Sequence, residues 1–137
     1  NLRSLIASMG LDRNVSIVNK NNIFFAKDKK DMKVTLMQAA WAIIVPSVKE
    51  GWGMVVTEAA SCGTPAIVSN VTGLSDSVLH DKTGIILSAN PTSQELGDAM
   101  FRIIKDSDLR EKLGKGAILW SKKFSWENSY EAFKKLL

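Results

Sequence analysis

The sequence predicts an α/β fold: a doubly wound parallel sheet followed by a helical C-terminal tail. Two observations carry most of this. The short, wholly apolar runs Ala42-Ile43-Ile44-Val45 and Ala66-Ile67-Val68 are bounded by proline turns. Such runs suit strands buried on both faces of a parallel sheet. Stretches of helical periodicity separate them, joined by short loops, and right-handed crossovers then put helices on both faces. A third observation is length. At 137 residues with 45% hydrophobic composition, the chain supports one domain, residues 1–137, with a real core, and it is not a disordered tail.

Leu2, Leu5, Ile6 and Met9 form a helix stripe closed by Gly10. Val15–Val18 is a short β-rich run, and Met32, Leu36 and Ala40 mark a second helix. The strand Ala42–Val45 is stopped by Pro46. A helix over Gly53–Cys62 is capped by Gly63 and blocked by Thr64-Pro65. After the strand Ala66–Val68 come a short helix, Gly73–His80, and a strand, Thr83–Leu87. The tail, 93–137, holds three helices. Thr92 with Glu95 and Asp108 with Glu111 read as capping boxes for the first two, running to about Lys105 and Lys123; Ser125 caps the last, Trp126–Leu137. These helices either cover the sheet or reach across to another domain.

Several function classes drop out. No run of about 18 apolar residues could span a membrane. No basic-then-apolar leader opens the chain, which begins with Asn1, so the expectation is a cytoplasmic domain cut from a longer protein. The single cysteine, Cys62, excludes an internal disulfide and a cysteine-based zinc site. The net charge of +4 hints at nucleic acid, but its distribution argues otherwise. Residues 1–49 hold eight Lys/Arg against three acids, 50–100 one against six, and 101–137 nine against five. The basic residues are interleaved with acids at helical spacing, as on solvated faces, and no aromatic-bearing basic strand occurs. The basic helices at 102–123 could equally touch anionic lipid as a peripheral contact.

The informative stretch is Pro46-Ser47-Val48-Lys49-Glu50-Gly51-Trp52-Gly53-Met54-Val55-Val56-Thr57-Glu58-Ala59-Ala60. It leaves a buried strand and opens a helix, at the carboxyl edge where open α/β sheets bind ligands. Gly51 and Gly53 let backbone approach a ligand closely. The amides of Gly53, Met54 and Val55, at the positive end of the helix dipole, suit a phosphate. Glu50 lies in the loop and Glu58 eight residues on, about 12 Å along the axis if all were helical. They are too differently placed for the paired acid and base of a glycoside hydrolase to be the first reading. Recognition of adjacent hydroxyls, as on a ribose or hexose, fits a carboxylate better. A dinucleotide fingerprint is incomplete, because Val56 stands where the third glycine belongs, and there is no Walker A sequence.

Glu50 and Glu58 reproduce the E-x7-E pattern of the group-one, or family-four, retaining glycosyltransferases of the GT-B fold. Pro46-Ser47, Glu50-Gly51-Trp52-Gly53, Glu58-Ala59-Ala60, Gly63-Thr64-Pro65, Gly73-Leu74, Asp76-Ser77-Val78, Thr83-Gly84 and Phe124-Ser125-Trp126 follow in the family's order and spacing. The chain therefore resembles the C-terminal, Rossmann-like donor-binding domain of that family along essentially its whole length. The resemblance implies hexosyl-type transfer from a nucleotide-sugar to a glycan, lipid-linked or small acceptor, with retention and without a cofactor or required metal. It implies that Glu50 meets the donor sugar, that Gly51, Trp52, Gly53, Met54 and Val55 face the sugar and diphosphate, and that Glu58 binds the ribose. The family's first strand, with its diphosphate-gripping Arg and Lys, would lie upstream of Asn1, as would an N-terminal acceptor-binding domain. The isolated domain is accordingly expected to be inactive. Asp76 and Trp52 stand where much of the family has Glu and Phe, spellings that also resemble one branch of it. A non-catalytic nucleotide-binding or interaction module and a sugar-nucleotide epimerase are the alternatives, and the E-x7-E spacing favours transfer over the second.

Other residues read as structural. His80, the single histidine, is expected at an exposed helix end, Cys62 to be buried and inert, and Trp41, Trp120 and Trp126 to pack. Trp52, between two glycines, is expected to line the site. Contacts to the base are expected from backbone in the Asn19–Asn22 loop. The sequons at Asn14 and Asn70 carry no meaning in a cytoplasmic protein.

Overall fold

The computed structural model describes residues 1–18 and 29–136, with side chains for 1–18 and 32–136. It divides into two units, Asn1–Lys33 and Val34–Leu137. In the first, α1 (Leu2–Ser8) begins at Asn1, whose side-chain oxygen accepts from the Arg3 N–H at 2.9 Å, and the chain turns off at Gly10 with φ 66°. Of the expected stripe only Ile6 is buried, while Leu2, Leu5 and Met9 stay largely exposed. The β-rich run Val15–Val18 carries no strand; the amides of Asn14 and Val15 both turn back onto the Leu11 carbonyl. β-propensity becomes structure only against cross-strand neighbours.

The second unit contains the sheet. The helix α2 (Lys29–Ala39) leads to β1 (Ile43–Val45), α3 (Met54–Ser61), β2 (Ala66–Ser69), α4 (Leu74–Ser77) and β3 (Gly84–Leu87). The strands are parallel, in the order β1-β2-β3, with Ile44 opposite Ile67 and Ile67 opposite Ile85. Side chains alternate across the pleat. Ile67, Ile85 and Leu87 pack with Ala99, Ile103 and Leu113 on one face, and Ala66 and Val68 pack with Val56, Leu74 and Val78 on the other. Helices thus cover both faces, as a doubly wound sheet requires. β2 is buried at all four residues, as its unbroken apolar run demands. β1 departs from the expectation of burial on both faces: it is the edge strand among the described residues, and Ile44 remains 36% exposed.

α3 ends in a left-handed Gly63, φ 82°, with the Gly63 amide on the Ala60 carbonyl and the Thr64 amide on that of Ala59. This is the Schellman pattern that a Gly-Thr-Pro ending encodes. The Gly73–His80 helix shortens to Leu74–Ser77, because Val78 turns extended to bury its side chain.

The tail forms three helices, α5 (Ser93–Lys105), α6 (Ser107–Ser121) and α7 (Trp126–Lys134), with a 3-10 turn at Lys122–Phe124 before the last. Two of the expected caps change. The Thr92 hydroxyl accepts from the Glu95 N–H, but the Glu95 carboxylate takes the Ser88 N–H and hydroxyl, at 2.6 and 2.7 Å. These two bonds hold the Glu95 carboxyl below the ordinary glutamate range. α6 is capped by Asp106, which accepts from the Leu109 N–H at 2.8 Å; Asp108 sits inside the first turn, and Glu111 pairs with Lys115. Ser125 caps α7 as expected, accepting from the Asn128 N–H at 3.1 Å. No described helix is long and apolar enough to cross a membrane.

Candidate functional site

β1 delivers the chain to the carboxyl edge of the sheet at Val45, and α3 begins at Met54, so Pro46–Gly53 forms the turn above that edge. Gly53 is the N-cap of α3. It is buried and left-handed (φ 74°, ψ 54°), and a Cβ built on it would meet Leu74 Cδ2 at 2.5 Å. With no side chain at the cap, the amides of Met54 and Val55 have no capping oxygen, while the Val56 N–H donates to the Gly53 carbonyl at 2.8 Å. Met54 turns its side chain to solvent, and Val55 packs partly into the core beside Val56. What these two residues can offer a ligand at the helix start is therefore backbone.

Glu50 is exposed, and its carboxylate accepts the N–H of Gly51 at 3.2 Å. Glu58 is half-buried on α3, four residues after Met54 and so on the same stripe of the helix. Only the steps from Met54 to Glu58 are helical, which shortens the rise between turn and second carboxylate to about 6 Å.

Trp52 is more tightly built in than a loop residue between glycines suggests. Its indole N–H donates to Thr57 Oγ1 at 3.0 Å, and its ring stands edge-on to Phe124, centroids 5.0 Å apart at 67°. Phe124 in turn stands edge-on to Trp120 at 5.2 Å, and the Trp120 N–H donates to the Ser77 carbonyl at the end of α4. An aromatic row thus ties the Glu50 turn, the 3-10 turn and α4 together. Thr57, Phe124 and Trp120 were not expected at the site; the signal was Phe124-Ser125-Trp126, whose ordered position in the sequence hid its spatial one. Trp120 packs as expected. Trp126 does not, at 89% exposed, and Trp41 is 55% exposed, with the Arg110 guanidinium over its ring at 4.6 Å.

The second turn at this edge, between β2 and α4, lies against the first. Gly73 is buried with φ 87°, and a Cβ there would meet the Gly51 carbonyl oxygen at 2.0 Å. The Gly73 N–H is held by Asp76 at 3.4 Å. Ser69, the last residue of β2, is wholly buried, and its hydroxyl has no partner among the described residues.

The remaining polar candidates lie elsewhere. His80 bridges to Gly84 at the amino end of β3, the opposite edge. Its Nδ1 accepts the Ile86 N–H at 2.9 Å, so the ring proton sits on Nε2, which is 3.5 Å from Asp81. Cys62 is half-buried rather than buried. A cavity of about 500 Å³ lies at the amino edge, lined by Gln38, Trp41, Gly63, Ser107, Arg110 and Lys115 among others, and takes in none of the turn residues. Among the described residues, no three His, Cys, Asp or Glu side chains cluster to hold a metal. The Asn19–Asn22 loop lies outside the described residues.

A parallel α/β domain with a helix start, a glycine-rich turn and an exposed carboxylate at the carboxyl edge, and a second carboxylate one turn into the helix, has the architecture in which open α/β sheets take ligands. The chain belongs to the glycosyl transferases of group 1, whose family model matches residues 14–120. Relatives include the D-inositol 3-phosphate glycosyltransferase of Corynebacterium jeikeium, 33% identical over 98% of this chain and 30% of that protein. An uncharacterized glycosyltransferase of Methanocaldococcus jannaschii is 30% identical over 88% of this chain and 35% of that one. Among solved structures, a sucrose-phosphate synthase from Thermosynechococcus elongatus superposes with a TM-score of 0.82 at 28% identity, covering 98% of this chain and 33% of that one. Anabaena HepE, solved in complex with UDP, gives 0.79 at 25% identity over 97% and 35%. The chain spans about a third of the length of the curated relatives it matches.

Proposed function

We propose that this domain holds the nucleotide-sugar donor of a retaining glycosyltransferase that moves a hexosyl group to a glycan, lipid-linked or small acceptor. One observation carries the reading: an exposed carboxylate, Glu50, stands in the same glycine-lined turn as an uncapped helix start, at the sheet edge where α/β domains bind ligands. In this reading the amides at the start of α3 receive the diphosphate. Glu58, on the same stripe as Met54, accepts from the ribose hydroxyls, and Glu50 accepts from the sugar hydroxyls and orients the sugar. The anomeric C–O bond to the diphosphate breaks, the diphosphate keeps the electron pair, and the acceptor hydroxyl oxygen bonds the anomeric carbon on the same face as its proton passes to the departing diphosphate oxygen. The amides stabilise the charge that develops on the leaving group. The UDP bound by HepE supports a uridine nucleotide as the first donor to try.

The acceptor comes from a second domain of the same protein. α7 supports this: it buries no side chain, and Trp126, Tyr130 and Phe133 form an exposed apolar stripe at 89%, 63% and 60%, suited to packing on another domain.

The test uses the full-length protein with UDP-glucose and other nucleotide-sugars. Glu58→Ala should weaken nucleoside diphosphate binding about tenfold or more, the scale of a lost hydrogen bond to a charged group. Glu50→Ala should spare that binding and remove turnover. Wild-type binding and turnover in both variants would sink the assignment.

A further inference from the structure

We propose that Gly73, on the β2–α4 turn, is a positioning residue that sets where the Glu50 carboxylate stands; the inference rests on Glu50 meeting the donor sugar. Gly73 touches the Glu50 turn backbone to backbone. A Cβ on Gly73 would lie 2.0 Å from the Gly51 carbonyl oxygen, 2.6 Å from its carbon and 3.0 Å from the Glu50 oxygen. None of these atoms belongs to a flexible side chain that could swing aside. Its φ of 87° is itself strained for any residue with a Cβ. The next residue, Leu74, is fully buried and reaches Gly53 in the same turn, since a Cβ on Gly53 would meet Leu74 Cδ2 at 2.5 Å. Two consecutive residues of the second turn therefore abut two glycines of the first.

The contact bears on Glu50 directly. Its carboxylate bonds the Gly51 N–H, one peptide away from the carbonyl that Gly73 abuts. Asp76 holds Gly73 in place through its N–H. To relieve a 2.0 Å contact, the Glu50–Gly51 backbone would have to retreat by about 1 Å, a displacement that in an active site can cost roughly a hundredfold. The atoms that Gly73 abuts belong to Glu50 and Gly51, whereas the start of α3 and Glu58 are also held by the packing of Val56, Ala59 and Ala60, which Gly73 does not abut. A disturbance at Gly73 should thus fall on the sugar more than on the nucleotide.

The experiment measures dissociation constants of the full-length protein for UDP, GDP and ADP, and for the glucose conjugate of whichever binds tightest. It compares wild type, Glu50→Ala, Gly73→Ala and the double variant. Gly73→Ala should weaken the glucose conjugate about ten- to a hundredfold, the scale of a lost hydrogen bond to a charged group, while leaving the free diphosphate within about threefold of wild type. In the Glu50→Ala background the same substitution should add nothing, a non-additivity that a merely destabilising change would not produce. Asp76→Ala, which removes the carboxylate behind Gly73 without adding a Cβ, should show the same pattern more weakly, and it stands in if Gly73→Ala does not fold. If Glu50→Ala weakens the conjugate but Gly73→Ala and Asp76→Ala do not, positioning by Gly73 is overturned and the role of Glu50 stands. Equal losses for conjugate and diphosphate, or full additivity with Glu50→Ala, also overturn it. If Glu50→Ala leaves conjugate affinity unchanged, or no diphosphate binds, the reading of the site fails and the proposal with it.

Discussion

Truncating Phe124 to alanine should cost the protein about 3 kcal/mol and loosen the Glu50 turn from its outer side. Phe124 is half-buried, so losing it forfeits about half the transfer free energy of a fully buried phenylalanine, or roughly 1 kcal/mol. It also breaks two edge-on contacts, with Trp52 at 5.0 Å and Trp120 at 5.2 Å. Each such pair contributes about 0.5–1.5 kcal/mol beyond its buried area. Phe124→Leu keeps most of the apolar volume and loses both ring contacts, so it should cost about 2 kcal/mol, some two-thirds of the alanine loss. Urea unfolding gives the free energies, and exchange of the Trp52 indole proton, assigned with Trp52→Phe, reports whether its bond to Thr57 weakens. A loss under about 0.5 kcal/mol, the range of ordinary surface substitutions, with no change at the Trp52 proton, would refute the row as a support for the turn.

Three further outcomes follow from buried or capping groups. Ser69→Ala removes a buried hydroxyl without a partner among the described residues, so it should leave stability unchanged or raise it by up to about 2 kcal/mol, read as a shift in the denaturant midpoint. Asp106→Ala removes the cap of α6 and should cost about 1 kcal/mol, whereas Asp108→Ala should stay within about 0.5 kcal/mol; the reverse order would restore Asp108 as the cap. Glu95 is held ionised by Ser88, with its carboxyl lowered, so its contribution is present above the ordinary glutamate range and is lost as pH falls through it and below. Glu95→Gln should flatten that acid limb of the stability curve, and an unchanged limb would count against the Ser88 bonds.

Much of the fold was legible because it rests on local rules. The short unbroken apolar run of β2, stopped by Pro65 on one side, reads as a strand covered on both faces and is one, and Gly63-Thr64-Pro65 encodes its own Schellman ending. Where two local solutions compete, sequence misleads. Asp106 and Asp108 can each cap a helix, and the chain chooses the one that lets Ser107 begin α6. Glu95 has the spacing for a capping box, yet its carboxylate is held chiefly by the amide and hydroxyl of Ser88, which the β3–α5 connection brings close. Val15–Val18 and β1 misled for another reason, since a strand's burial depends on neighbours that its own residues do not name.

The sequence by itself determined the class of fold, the family, and the placing of Glu50 in a glycine turn with Glu58 on the helix after it, all of which are written in spacing along one strand, one turn and one helix. Only the tertiary structure decided what holds that turn. Gly73 lies 22 residues after Gly51 and Phe124 lies 72 after Trp52, separations across which no periodicity carries information. Parallel crossovers return each strand's end to the same edge, so turns remote in sequence meet there. Whether they meet as backbone against backbone, or as ring against ring, is settled by packing alone.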